Sequence, residues 1–336
     1  MAMTGRLALS LAALLLVPGS VSLRSQSLTA EAAITAGQSS EDTASVVASQ
    51  VRVFGEAGSG ITVFAEGAWA ASSSREVDAF GSAYPYVNRF RLIEAYAERM
   101  FGRGSMLVGV RGGRYRTPFG ISSGSDHGYV GFLRAPLIRY DGYFGLSNNF
   151  LEHGASVLVG VPWLTGEASI GTPADVGTAV RRGGADVVAR LQGFRGPFVI
   201  GLSHIRTSPY MPARFAHGRN VFTGIDLRWM HDGVQLRGEW IAGRPFDGVT
   251  TDGWYIDAIA HHRRMGPVTG VARVERLDYD TVPEFALHAT RVTVGARIRL
   301  LQQLAVHVNA LRQTGGVAHH GAAALDAAVT YSIRLN

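Results

Sequence analysis

The chain has 336 residues, 46 % of them hydrophobic and only 17 % charged, with a formal charge of +6. It contains no cysteine, which excludes disulfides and thiolate metal sites. Beyond the N-terminus no apolar run reaches the roughly 20 residues of a membrane-spanning helix. All 32 basic residues are arginine; GC-rich codon usage accounts for that, and so does selection of the planar guanidinium for binding anions.

In chain order, residues 1–22 predict a cleaved export signal. MAMTGR carries a positive charge, LALSLAALLLV is a short apolar core, and PGSVS is a small-residue exit ending near Ser22. The remainder, 23–336, predicts a single domain. Leu28, Ala30, Ala32 and Ile34 alternate with Thr29, Glu31 and Thr35, which places a first strand near 27–36. Further strands are predicted near 46–55, 60–70, 88–99, 104–113 and 152–161. After residue 150 the alternation sharpens: Val187, Ala189 and Leu191 against Asp186, Arg190 and Gln192, then Ile225 and Leu227 against Asp226 and Arg228. Trp254, Ile256 and Ala258 stand against Tyr255 and Asp257. Val292, Val294 and Ile298 stand against Arg291, Arg297 and Arg299, and Leu325, Val329 and Ile333 against Asp326, Thr330 and Arg334. Side chains at period two point to opposite faces of a strand, so each stretch has one apolar and one polar face.

The connections alternate in length. Thr314–Ala323, Thr281–Leu287, Gly243–Thr251, Thr207–Asn220 and Thr172–Gly183 read as long. Leu301–Gln303, His262–Gly266, His231–Asp232, Arg195–Gly196 and Pro162–Gly166 read as short. Long loops at one rim and short turns at the other, with the C-terminus at the short rim, predict an all-β, transmembrane, antiparallel up-and-down barrel of about 16 strands. Closure pairs every backbone N–H and C=O, as lipid requires, and a barrel this wide leaves an aqueous channel. Trp163, Trp229, Trp240, Trp254 and Tyr331 are placed to contribute to interfacial girdles.

Residues 114–150 break the pattern, beginning RYRTPFGISSGSDHGYVGFLRAPLIRYDG. A connection of that length in a compact domain is functional or wrongly assigned. It is predicted to fold into the lumen and narrow the pore; the alternative is a missed strand pair around Phe132–Phe144.

GRYRTPFG (Gly113–Gly120), FLRAPLIRYDG, HGASVLVG, RVERLDYD (Arg273–Asp280) and RVTVGARIRL (Arg291–Leu300), in this order, resemble blocks of the phosphate-selective porin O and P family. The resemblance implies an outer-membrane, usually trimeric, sixteen-stranded channel favouring anions, with a loop folded into its pore. It would put Arg114 and Arg116 near the start of that loop and Arg134 and Arg139 along it. The chain departs from the family in having no lysine, which family channels use in the pore beside arginine, and in ending on Asn336 where outer-membrane strands commonly end on an aromatic.

The predicted lumen wall carries Arg190, Arg228, Arg237, Arg273, Arg291, Arg297 and Arg299 together with Glu239, Asp257 and Glu275. Opposite charges on facing walls would favour small polar solutes. Screening acts over ~8 Å at physiological salt, so the narrowest ring dominates. Arg116, Arg134 and Arg139 outnumber Asp126 and Asp141 there, tipping the expectation toward anions such as phosphate. If the lumen arginines merely pair with neighbouring carboxylates, a general, weakly selective porin results. Catalytic readings are poorer: Ser203 and His204 are adjacent in a strand and diverge, while His217 lies with Asn220 in a loop. The pairs His261–His262 and His319–His320 do not make a metal site, GEAGSG (Gly55–Gly60) opens no helix, and no basic run suggests nucleic acid. The expectation is a channel without cofactor, metal or catalytic residue, in the outer membrane of a Gram-negative-type bacterium. Its partners would be membrane lipid, small hydrophilic or anionic solutes and two further copies of itself. A barrel hydrolase and a surface-binding scaffold are the alternatives from other classes.

Overall fold

The computed structural model describes residues 27–57, 60–74, 80, 89–121, 130–139, 151–173, 185–207, 220–246, 249–261, 265–280, 287–315 and 323–335. The export signal expected at 1–22 lies outside them, as do 122–129 and 140–150 of the pattern-breaking segment.

Sixteen antiparallel strands form one closed barrel in which each pairs with its neighbours in sequence and the first pairs with the last. They are β1 (Ser27–Ser39), β2 (Ser45–Ala57), β3 (Ile61–Ser72), β4 (Arg89–Arg103), β5 (Met106–Arg116), β6 (Leu151–Val161), β7 (Leu164–Pro173) and β8 (Asp186–Arg195). The second half comprises β9 (Phe198–Thr207), β10 (Asn220–His231), β11 (Val234–Phe246), β12 (Val249–Ala260), β13 (Val268–Asp280), β14 (Leu287–Arg299), β15 (Leu304–Gly315) and β16 (Ala323–Leu335). The strand inferred at 27–36 exists and closes the ring, running from Ala30↔Leu335 to Ser39↔Asp326.

The alternation read from the sequence sorts the faces. Outward rows expose Val51, Val63, Val157, Leu202, Ile225, Ile256, Val294 and Val329, while Glu66, Asp226, Asp257, Arg273 and Asp326 point inward and are buried. The short rim is built of tight hairpins; between β10 and β11, Asp232 and Gly233 both take positive φ (46° and 76°), the geometry whose twist matches the flanking strands. One expectation fails at the other rim. Gly243–Thr251 is no long loop, because β11 runs on to Phe246 and β12 resumes at Val249 across a register shift between Gly243 and Phe246. The bulge absorbs the irregularity that the sequence pattern read as loop.

The aromatic residues occupy two levels. Trp163 lies in the turn after β6, and Trp229 and Tyr331 sit towards the short-turn rim, whereas Trp240 and Trp254 face each other across β11 and β12 at mid-strand. Beside that pair on β13 the outer wall turns polar, with Arg276, the register partner of Trp254, donating to Asp278 at 2.6 and 3.0 Å.

At the seam, a Cβ on Gly37 would lie 2.3 Å from the Ala327 carbonyl oxygen and 2.6 Å from the Ala328 Cβ, whereas one on Gly102 would meet nothing within 4 Å. Gly37→Val is therefore expected to weaken the folded barrel by about 1–3 kcal/mol and Gly102→Ala to leave it unchanged. The urea midpoint in detergent micelles measures both.

Candidate functional site

The chain enters the lumen at the end of β5, and an irregularity in β4 sends it there. The β3–β4 register shifts between Glu66 and Gly67, leaving Ile93 as the extra, buried residue. The β4–β5 ladder reaches only Ala95↔Arg114, so the last residues of β5 have no partner strand on that side. Arg116 turns inward there. Its backbone N–H and Nη1 each donate to Glu94 at 2.9 Å, and Nη2 donates to Glu66 at 2.7 Å. Arg114 does not follow. It pairs with His153, on the row that carries the exposed Val157 and Val159, and its Nε donates to the Ile93 carbonyl at 2.9 Å. The expectation that Arg114 lines the constriction is corrected by this parity.

Beyond Arg116, Phe119 is fully buried in a cluster with Leu137, Ile138 and the inward-facing Val188, Ile205, Phe222, Ile241 and Leu277. The Gly120 N–H donates to Ser203 Oγ at 3.1 Å, and its positive φ of 61° seats the backbone so closely on Glu239 that a Cβ would overlap it. Residues 130–139 then run along the wall from β12 to β1. Phe132 packs on Ile259 and Val271, and Leu133 joins Val46, Ala48, Ala70, Phe80 and Ala328. Asn309 brackets the backbone, accepting from the Leu133 N–H at 2.7 Å and donating to the Gly131 carbonyl at 3.1 Å. A short 3-10 turn over Leu137–Arg139 ends the described part; no strand occurs within 117–121 or 130–139, which removes the missed strand pair from 132–139.

Ionic contacts fix this path. The Arg134 fork spans two carboxylates, with Nε on Asp326 at 2.6 Å, Nη1 on Glu41 at 2.6 Å and Nη2 on Ser39 at 3.0 Å. Asp326 and Ser39 belong to the two strands of the closure, so one side chain of the segment clasps the seam. On the opposite side Arg273 donates to the Arg134 carbonyl at 3.1 Å while its Nε holds Asp257 at 2.6 Å. Its guanidinium also lies 4.0 Å from the centre of the Phe132 ring, a cation–π contact out of water. Arg291 reaches the Ala135 carbonyl at 2.5 Å and pairs with Glu275 at 2.7 Å, which accepts the Leu137 N–H in turn.

The other wall residues anticipated from alternation all point inward. Arg190 pairs with Asp226 at 2.7 Å and Arg237 with Asp257 at 2.9 Å. Glu239 accepts from Tyr255 Oη at 3.3 Å. Arg228 stands half-buried on the same row as Asp226, Arg297 lies opposite His307, and Arg299 is exposed at the short-turn end of β14. Arg139 closes the 3-10 turn, and its side chain falls outside the described residues. Ser203 is buried and inward while the adjacent His204 faces out and contacts Thr223 at 3.0 Å, so the two diverge as the sequence implied.

Sequence reasoning missed the apolar half of this site. Inward-facing Val188, Ile205, Phe222, Ile241 and Leu277 form a dry bed where a wet wall was expected. The available signal was the segment's own run VGFLRAPLI, too apolar for a solvated loop. Several charges that keep some contact with water lie along β2 to β7: Arg52, Arg111, Arg116, Glu98 and Glu167 retain 13–24 % side-chain exposure, against 1–7 % for Arg134, Arg190, Arg237 and Arg273.

No protein-family model matches the sequence, and no curated protein does. Solved structures do match. OmpF of Salmonella typhi, solved with daunomycin, superposes with a TM-score of 0.65 at 12 % identity over 91 % of this chain and 97 % of that one. An anion-selective porin from Comamonas acidovorans gives 0.59 at 13 % identity, covering 91 % and 99 %. OmpT, an outer membrane protein of Vibrio cholerae solved in a trimer form, gives 0.59 at 8 % identity over 91 % and 98 %. At such identities the likeness establishes a shared fold, the sixteen-stranded porin barrel.

Arg134→Ala would leave Asp326 and Glu41 buried without their cation, a loss of about 3–5 kcal/mol. Arg299→Ala, on an exposed side chain, is expected to stay within about 0.5 kcal/mol of the parent. Urea denaturation followed by tryptophan fluorescence distinguishes the two.

Proposed function

We propose that the protein is an outer-membrane channel for passive diffusion of small hydrophilic solutes, selecting by size more than by the sign of charge. The observation that carries this reading is the segment clasped inside a closed barrel whose outer rows are apolar. A chain path through the lumen narrows it without sealing it where the wall stays polar and hydrated. The passage accordingly follows β2 to β7, between Arg52, Arg111 and Arg116 on one hand and Glu66, Glu94, Glu98 and Glu167 on the other. Each of these arginines faces carboxylates: Arg116 has Glu66 and Glu94, and Arg111 has Glu98 at 2.6 Å and Glu167 at 3.6 Å. Paired charges of both signs orient dipolar solutes and give ions little preference, which supports weak selectivity over a phosphate-selective channel. The roles of Arg116 and Arg134 at the constriction and of the wall residues belong to the same proposal.

The barrel would assemble as a homotrimer through β16 and β1 to β4, where alanines (Ala327, Ala30, Ala32, Ala36, Ala65 and Ala95) alternate along the outward rows with exposed large apolar side chains such as Val329, Ile34, Val51 and Val63. The divergence of Ser203 and His204 favours the channel over a hydrolase.

Reconstitution into planar bilayers tests the proposal. Stepwise conductance is expected, with a reversal potential close to zero in a potassium chloride gradient. Arg116→Ala should shift that potential toward cations by removing the cation paired with Glu94 and leaving Glu66 with Arg52 alone, and Glu94→Gln should shift it toward anions. Barrels that insert but never conduct would overturn the reading in favour of a scaffold.

A further inference from the structure

At the seam the inner wall opens into a cavity of about 380 Å³ between β1, β2 and β14 to β16. Its lining is chemically mixed. Arg52, Arg297 and Arg334 line it, and so do Phe80 and Ala48, which belong to the dry cluster around Leu133. Apolar side chains and guanidinium groups therefore share its lining, and it reads as a recess beside the passage.

His307 lines the same recess. It is 1 % exposed, and neither ring nitrogen has a hydrogen-bond partner among the described residues. The neighbouring Gly131 carbonyl accepts from Asn309. A buried polar group left unsatisfied costs about 1–3 kcal/mol, and in His307 both ring nitrogens stand so. Around His307 the carboxylates are engaged or distant: Glu66 takes Arg52 at 3.2 Å, and Glu31 stands 3.6 Å from Arg334. The register sets Arg297 directly opposite His307, so a guanidinium and an orphan imidazole face the same space.

We propose that this recess is a binding subsite for a small organic anion with an apolar body. Its carboxylate sits between Arg297 and His307, and its hydrocarbon lies against Phe80 and Ala48. Arginine forks match planar carboxylates in two-point contacts, and the volume falls at the lower end of small-molecule sites. Inorganic phosphate, all polar and compact, leaves the apolar part of the lining uncovered. The proposal rests on the channel reading only for the route by which the solute arrives.

The test uses the full-length protein in detergent micelles, titrated calorimetrically with benzoate, inorganic phosphate and benzyl alcohol. Benzoate is expected to bind one saturable site, with phosphate and benzyl alcohol each weaker by about tenfold or more, the equivalent of one lost charge-assisted or apolar contact. Arg297→Gln and His307→Leu should each weaken benzoate by about tenfold, and His307→Gln, which keeps a donor, should retain most of the affinity. A heat-shifted gel mobility confirms that each variant is folded. Benzyl alcohol or phosphate binding as tightly as benzoate, or benzoate binding untouched in both weakening variants, would overturn the subsite. Bilayer recordings on the same preparation separate the two proposals: conductance without benzoate binding removes the subsite alone, and benzoate binding without conductance removes the channel alone.

Discussion

Closure is the constraint on which everything else depends. A sheet in lipid cannot leave an edge, because each unpaired N–H or C=O in hydrocarbon costs several kcal/mol. The pairing of β1 with β16 removes the last edge, and ten successive residue pairs from Ala30↔Leu335 to Ser39↔Asp326 hold it. Once the ring is shut, every strand has one face toward lipid and one toward the lumen, and a slip of one residue would exchange them. The apolar outer rows and ionic inner rows are the chemical consequence of that geometry.

The clasp of Arg134 builds on the closure directly. Asp326 and Ser39 are the register partners at the loop-rim end of the seam, and Glu41 follows in the next turn. Only when β1 and β16 have paired do these acceptors converge on one guanidinium. Closure of the ring and anchoring of the segment at this side are thus coupled, while the dry cluster around Phe119 gathers wall residues from β8 to β14. Two unlike forces share the work: apolar burial, which is non-directional, brings the segment to the wall, and ionic hydrogen bonds set its register.

Much of the architecture was legible because period two is a strong signal. All sixteen strands could be located, even β1 from parity, and the inward residues Arg190, Arg237, Asp257, Arg273, Glu275 and Arg291 followed from alternation alone. The places where legibility failed share a cause. Arg114 and Arg116 have the same parity, yet one points out and one in, because the Ile93 bulge frees the end of β5 from its neighbour. The hairpin at Gly243–Thr251 hid another register shift. The dry bed of Val188, Ile205, Phe222, Ile241 and Leu277 was hidden because alternation reports which face a residue takes, and not what it meets there. Bulges and a second layer of packing are three-dimensional facts that a period cannot carry.

The absence of lysine acquires a structural meaning from these contacts. Arg134 spans Asp326 and Glu41, Arg116 spans Glu94 and Glu66, and Arg111 spans Glu98 and Glu167. Arg273 holds Asp257 through Nε and Nη2 while Nη1 takes a backbone carbonyl. A guanidinium presents five donors in a rigid plane, so it can tie groups on different strands in fixed geometry, whereas an ammonium is a compact, strongly hydrated point charge. The buried cations act as struts between strands and between wall and segment. Arginine engaged in bridging carboxylates is withdrawn from solvent, and this is the physical reason a basic chain can present an inner wall of mixed charge.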